Sequence, residues 1–520
     1  MASLRSVYPG AFVKRLPSDD AGIRKMRKAF LQAVGNNFLL LQLLFLGLFC
    51  YVFGALFQQM GRTHNLNIVF VDYDGGAIGR AVRSAYASLQ GDNFPTLTER
   101  APSDILTPGE LWESVCRTEY WAALYVSPGA SRRLEDALAT NSDNSMSSYD
   151  NTDIMAYIWN QALYSPVADG SISANLQLLS NTARIAYTSG NGTGNLSTIS
   201  GPSALSVLAE PWHLQSLNIQ PTTQGSRAIY NNIVIVLVLI QEFFYLGTIN
   251  GLYAQFKVYS RVRPFRIVVV RNINSTLYTL IGALCVSGTI WAFRSGWDLN
   301  GNQFVLAWVI IWLFAHCNFL TLDVFTIWLP QAYVPMALIS WVILNITSVL
   351  LPFELSPGFY RLGYLFPAHE VYQVLTNIWS RGCNPQLRYA LPVLFAWEIV
   401  GLALSVLGVF RRCHFATVGE ETQAREFREK VDAAVALHLD KMDQGRGRTR
   451  GGQEDQKDGG KMRLSGETPS EDEEALQAEM AGVIERIGTR QQMERERTGS
   501  CSFGPAFDVP FRYVPNGKGV

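Results

Sequence analysis

Six side chains in this sequence have the chemistry to take up protons or hold a charged solute, and each lies in a run of apolar residues. Glu242 follows Gln241 within Tyr230–Leu252. His316 and Asn318 sit near the middle of Gln303–Leu329, with Asp323 about two turns further on. Asn345 falls in Tyr333–Leu351 and Glu398 in Ala390–Phe410. An ionisable group at such depth costs several kcal/mol to insert unless it faces a cavity or a partner. Two readings are open: a polar transport pathway between spans, or interhelical hydrogen bonding with snorkelling near the boundaries.

Signatures of catalysis are missing. The chain has no G-x-x-x-x-G-K-[ST] loop, no H-E-x-x-H, no paired C-x-x-C and no G-x-S-x-G elbow, so an enzyme is not expected, nor a cofactor or a metal. Asp72-Tyr-Asp74 starts like a calcium loop, but Gly75 stands too early and a third ligand is lacking. A turn at a strand end is the better reading of that segment.

The elements that must position these groups are membrane spans. The 520 residues are 48% hydrophobic and 17% charged, with 43 basic against 43 acidic side chains, and the charges crowd towards the two ends. Six runs approach the roughly 20 apolar residues a spanning helix needs: Asn37–Phe57, Tyr230–Leu252, Ile267–Phe293, Gln303–Leu329, Tyr333–Leu351 and Ala390–Phe410. The fold class expected is a mainly α-helical polytopic membrane protein, six helices in a 1+5 arrangement, with a small α/β extracytoplasmic domain between helices 1 and 2. Residues 1–36 form a basic leader, and Lys257, Arg261, Arg263, Arg266 and Arg271 cluster between spans 2 and 3. Arg411, Arg412 and His414 follow span 6. The positive-inside rule puts all three clusters, and therefore both termini, in the cytosol.

Residues 58–227 then lie outside. Strands are expected at Ile68–Val71, Phe94–Leu97, Tyr120–Val126 and Ile154–Trp159, about four in all. Helices are expected at Ala77–Leu89, Pro108–Arg117, Ala130–Ala139 and Ala174–Ala186. Asn191-Gly-Thr and Asn195-Leu-Ser offer glycosylation sites in a Gly/Ser/Asn loop of this domain. Cys116 and Cys383 fall on the same outer side; a bridge is open to them, but spacing cannot establish proximity and two free thiols are the default.

Between the last two spans, Leu350–Tyr389 is neither span nor linker. Pro352, Pro357 and Pro367 break any continuous helix, while the residues between them stay aromatic. Two short interfacial or re-entrant helices are expected within 352–389, at Ser356–Leu365 and Ala368–Ile378, with Glu354, Arg361, His369 and Glu370 facing water or the outside domain. The loop is either a lid or an outer gate. Residues 411–520 are read as a cytosolic tail with an amphipathic helix at Glu421–Met442, disorder from Gly445 to Glu473, and possibilities for docking a cytosolic partner.

One sequence family matches this layout. N-I-V-F-V-D-Y-D-G-G-A-I-G-R after span 1 and L-P-F-E-L-S-P-G-F-Y-R-L-G-Y-L-F-P-A-H-E-V-Y-Q before span 6 resemble the fungal nitrosoguanidine-resistance membrane proteins. That family is built on a domain of unknown function and is related to ABC-2-type permeases and phage-infection-protein membrane proteins. The resemblance covers roughly Arg24–Phe415. It implies a plasma-membrane protein that exports toxic small molecules and confers resistance, and it brings no catalytic residues and no nucleotide-binding domain. The expected partners are the bilayer, a small-molecule toxicant and a second copy in a homodimer, with no nucleic acid. The alternative is a membrane organiser or receptor that affects lipid distribution through its outside domain and tail.

Overall fold

A computed structural model describes residues 21–139, 149–190, 202–221, 234–294, 299–330 and 333–450. The expected glycosylation sites Asn191 and Asn195, and most of the tail, lie outside the described residues. The chain divides into two compact units. The first comprises Met1–Asn232 with Ile339–Tyr372 and Trp379–Pro385, and the second comprises Ile233–Leu338, Gln373–Ile378 and Gln386–Val520.

In the first unit, helix α1 (Ala21–Leu56) leads through a 3-10 turn, Met60–Asn65, into a five-stranded sheet. Its strands are β1 (Asn67–Asp72), β2 (Thr96–Arg100), β3 (Ala122–Val126), β4 (Met155–Trp159) and β5 (Leu214–Asn218), in the order β2-β1-β3-β4-β5. All neighbours are parallel except β3 and β4. Helices α2 (Ala77–Leu89), α3 (Pro108–Cys116), α4 (Ala130–Ala139), α5 (Ala174–Gly190) and α6 (Pro202–Ala209) complete it. Val69, Val71, Ala123 and Ile158 project to one face and pack against Leu111 and Val115 of α3. Ile68, Phe70 and Leu124 alternate with them and are also buried, so the central strands are covered on both sides, as parallel strands require. Thr107 caps α3 and Pro108 occupies its first turn, where the missing amide costs nothing.

The Asp72–Gly76 segment is a turn whose carboxylates are consumed locally. Asp72 accepts from the amides of Asp74 and Gly75 and from Arg83, while Asp74 accepts from the amides of Gly76 and Ser131. Gly75 adopts φ +65°, a conformation that favours glycine. The expected four strands become five. LQSLN of β5 has no apolar run to mark it, because it is an edge strand with half-exposed side chains.

Most of the Pro-broken segment, up to Tyr372 and again from Trp379 to Pro385, belongs to this unit. It forms a 3-10 helix, Gly358–Leu365, and then helix α11 (Pro367–Trp379); this departs from the expected pair of helices only at the ends. The segment is bonded to the sheet module: Tyr372 Oη accepts from the Tyr164 amide, and Asn160 donates to the Cys383 carbonyl. Cys116, at the end of α3, is disulfide-bonded to Cys383, which corrects the free-thiol default.

His369 and Glu370 were expected to face water or the outside domain, and burial corrects the first alternative: they are 2% and 4% exposed. The chain turns inwards at Pro367, and His369 Nδ1 lies 3.1 Å from the Ser348 carbonyl, between the rings of Phe353 and Tyr364. Burial lowers the His369 pKa to about 4 and raises that of Glu370 to about 7. Both are therefore held neutral, with opposite linkage. Between pH 4.5 and 7 the folded chain keeps a Glu370 proton that the unfolded chain has lost, so this contribution is present at low pH and lost as pH rises. Between pH 4 and 6.5 the unfolded chain binds a His369 proton that the folded chain refuses, so this contribution is lost as pH falls. The two offset each other, and thermal stability in detergent is expected to be nearly flat from pH 4.5 to 6.5. His369→Gln should make stability decline with rising pH across that window, and Glu370→Gln should make it rise. Parallel curves for wild type and both variants exclude the assignment.

Candidate functional site

The second unit is built from α7 (Val234–Gln255), α8 (Pro264–Ala292), α9 (Gly301–Trp328), the start of α10 (Val334–Leu350) and α12 (Leu387–Arg450). With α1, the helices α7, α8, α9 and α12 are five that are long and apolar enough to cross a membrane, and α10 is a shorter apolar helix of 17 residues. The protein is a multi-pass membrane protein. Six spans of full length were expected; α10 falls short of the others. The expected separate helix at Glu421–Met442 is a continuation of α12, as are residues 445–450, which were read as disordered.

Helix α9 is the hub. Asn300 and Gln303 form a capping box at its start, and two-thirds of its apolar window is buried. Helix α12 lies against it with little intervening side chain: a Cβ on Gly401 would meet Leu320 at 2.9 Å, and one on Gly408 would strike Ile327. Close approach at small residues is what packs helices in lipid, where the hydrophobic effect cannot.

Three residues of α12 spaced by seven, Glu398, Ser405 and Arg412, face α9 and bond to it at two levels. At the first, Glu398 Oε1 lies 2.5 Å from His316 Nδ1. The other ring nitrogen, Nε2, lies 3.3 Å from Ser275 Oγ and 3.4 Å from Thr276 Oγ1 on α8, and Cys317 donates to Glu398 Oε2. The imidazole thus sits between a carboxylate and two hydroxyls, an arrangement able to hold a proton and pass it on.

About 10 Å along α9, Asp323 is shared by two arginines. Arg271 Nη2 reaches its Oδ1 at 2.6 Å and Arg412 Nη1 reaches the same oxygen at 3.1 Å, while Ser405 donates to Oδ2 at 2.8 Å. Arg271 also donates to Asn250 of α7 at 2.9 Å. Arg412 donates to Thr326 at 2.6 Å and to Tyr259, which precedes α8, at 3.0 Å. Arg271, Asp323 and Arg412 are 2%, 0% and 8% exposed. One carboxylate therefore fastens α8 and α12 to α9, and Asn250 adds α7. The cluster carries one more positive than negative charge.

Glu242 on α7 stands apart. It is fully buried, and neither carboxylate oxygen has a hydrogen-bond partner among the described residues. Tyr245, one turn along α7, stacks on Tyr278 of α8 at 3.6 Å. Asn318 donates to the Phe314 carbonyl of its own helix. Asn345 belongs to the first unit, where it donates to Trp341 and accepts from the Ala368 amide. It fixes the start of α11. Of the expected outer-gate residues, Glu354 and Arg361 are exposed. Among the described residues no three His, Cys, Asp or Glu side chains converge on a metal position.

Sequence reasoning missed Arg271 and Arg412, which it assigned to cytosolic clusters. Their signal was depth: Arg271 lies two turns inside α8 from Pro264, and Arg412 continues the seven-residue spacing of Glu398 and Ser405.

The profile of a family described as a protein of unknown function (DUF3533) matches residues 37–403. The chain is also similar to an uncharacterized endoplasmic reticulum membrane protein of Saccharomyces cerevisiae, 21% identical over 396 residues that cover 67% of this chain and 73% of that protein. No solved structure matches.

Proposed function

The chain belongs to the DUF3533 family of proteins of unknown function, and we propose that it is a permease exporting small toxic molecules against inward proton movement. The observation that carries this reading is Glu242. A buried carboxylate with no partner destabilises a fold, and intramembrane acids of that kind mark ion and substrate pathways. His316 with Glu398 supplies a second proton-holding station in the same unit. The Asp323 cluster is the clamp that holds the helices around them. The resemblance to nitrosoguanidine-resistance proteins and ABC-2-type permeases supports export as the direction and toxicants as the cargo.

Topology follows from the same reading. A disulfide joins Cys116 and Cys383, so an even number of crossings separates them. Helices α7, α8 and α9 make three, and α10 is the fourth. Its 17 residues rise about 26 Å, at the short end for a span. Six crossings result, with the sheet module and the Pro-broken segment outside and both termini in the cytosol. The bond suits an oxidising compartment, whether the lumen of the endoplasmic reticulum or the exterior of the plasma membrane.

The test is efflux of a nitrosoguanidine from proteoliposomes under an imposed pH gradient. Wild type is expected to export, and Glu242→Gln and His316→Gln to fall at least tenfold in rate, with Glu242→Gln unfolding at or above the wild-type temperature. Gln keeps the shape of Glu242 and removes a buried acid. Wild-type rates in both variants overturn the proton pathway. Absence of flux from well-folded wild type favours the membrane-organiser reading.

A further inference from the structure

Outside the span bundle, the first unit contains a cleft of about 470 Å³ between the end of α1 and the Pro-broken segment. Its walls carry Arg62, His64 and Asn65 on one side and Glu354, Ser356 and Arg361 on the other. The two sides are held together beneath it. Ser356 donates to the Ala55 carbonyl, Tyr360 to that of Tyr51, and Asn65 to that of Glu354. Gly54 permits the contact, because a Cβ there would strike the Tyr360 hydroxyl.

The charges are unbalanced and available. Arg62 commits a donor to the Phe57 carbonyl, leaving the rest of its five-donor fork. Among the described residues neither Arg62 nor Arg361 has an ion-pair partner, and Glu354 is the one carboxylate on the lining. The cleft opens where α1 stops being apolar: Arg62, His64 and Asn65 stand six, eight and nine residues beyond Leu56, the last residue of that span. Its surroundings are apolar and bare: Phe53, Phe57 and Met60 on one side, Phe359 and Leu365 on the other, are 58–70% exposed. Guanidiniums ringed by exposed aromatic and aliphatic side chains at the end of a span meet the phosphate layer of a bilayer.

We propose that this cleft binds the headgroup of a single anionic phospholipid, its phosphate held by Arg62 and Arg361 and its acyl chains lying on the exposed apolar residues beside α1. Arg presents a planar fork matched to phosphate oxygens. His64, whose Nδ1 faces Asp92, lends its other ring nitrogen, and Glu354 opposes the charge and sets a moderate affinity.

The experiment uses the full chain in phosphatidylcholine nanodiscs titrated with radiolabelled phosphatidic acid, and in detergent titrated with inorganic phosphate. Saturable binding of one phosphatidic acid per chain is expected, about 25-fold weaker in the Arg62→Gln/Arg361→Gln double variant, from roughly fivefold per arginine. Glu354→Gln should bind about fivefold more tightly, a gain that misfolding cannot produce. Inorganic phosphate should bind far more weakly than the lipid. Unchanged binding in the double variant, no gain in Glu354→Gln, or free phosphate binding as tightly as the lipid each overturns the proposal.

Discussion

Asp323→Asn is expected to leave little folded protein. The substitution keeps the shape of the side chain and removes the one charge that Arg271 and Arg412 share. Two guanidiniums then remain buried without a counter-charge, and breaking a buried pair in this way costs about 3–5 kcal/mol. Domains hold only about 5–15 kcal/mol in total, so most of the margin goes. The arginine variants should be graded. Arg271→Gln removes the 2.6 Å partner and the link to Asn250. Arg412→Gln leaves Asp323 paired with Arg271 and brings the cluster to neutrality, so its loss should be the smallest of the three. Detergent-extracted protein that is monodisperse on a sizing column, with its melting temperature, reads the order. If Arg412→Gln is as damaging as Asp323→Asn, Asp323 is not the shared counter-charge.

The second large effect is loss of the disulfide. Cys116 and Cys383 are 267 residues apart, and closing a loop of that length is worth about 5 kcal/mol in chain entropy. Helices that stay inserted when the sheet module unfolds already shorten the loop, so about half of that is expected on Cys116→Ser/Cys383→Ser. The damage should be confined to the first unit, because the bond and the Tyr164–Tyr372 and Asn160–Cys383 contacts all lie within it. Proteolysis of the sheet module should accelerate in the variant and in reduced wild type alike. Equal resistance in oxidised and reduced protein removes the bond from the stability of the fold.

Much of the architecture was written in local pattern. Ala77–Leu89 and Ala130–Ala139 run between the ends that their apolar spacing marks, since an amphipathic helix on a sheet is specified by its own period. Strand β5 was invisible because an edge strand with half-exposed residues has no such pattern. In the bundle, Glu242, His316, Asp323 and Glu398 stood out against apolar neighbours, but the pairing of His316 with Glu398 and of Asp323 with two arginines did not. Whether Arg271 bathes in the cytosol or turns inward to Asp323 depends on which helix lies beside it, and that is decided by packing. The same holds for Cys116 and Cys383, and for His369, whose partner Ser348 comes from α10. Depth in the membrane is one-dimensional and readable along a chain; adjacency is not.

The long ring closed by Cys116 and Cys383 also orders events in time. Synthesis at about 5–20 residues per second puts roughly 13–53 s between the two cysteines. On the proposed topology, Cys383 reaches the compartment of Cys116 only after α7, α8, α9 and α10 have each crossed. The thiol at the end of α3 must wait through all of it. Oxidation of this pair is then among the last covalent steps of biogenesis, and it registers the parity of insertion. A nascent chain that misses one crossing delivers Cys383 to the wrong face and stays reduced, a difference that a thiol-reactive tag can read before the protein has done anything else.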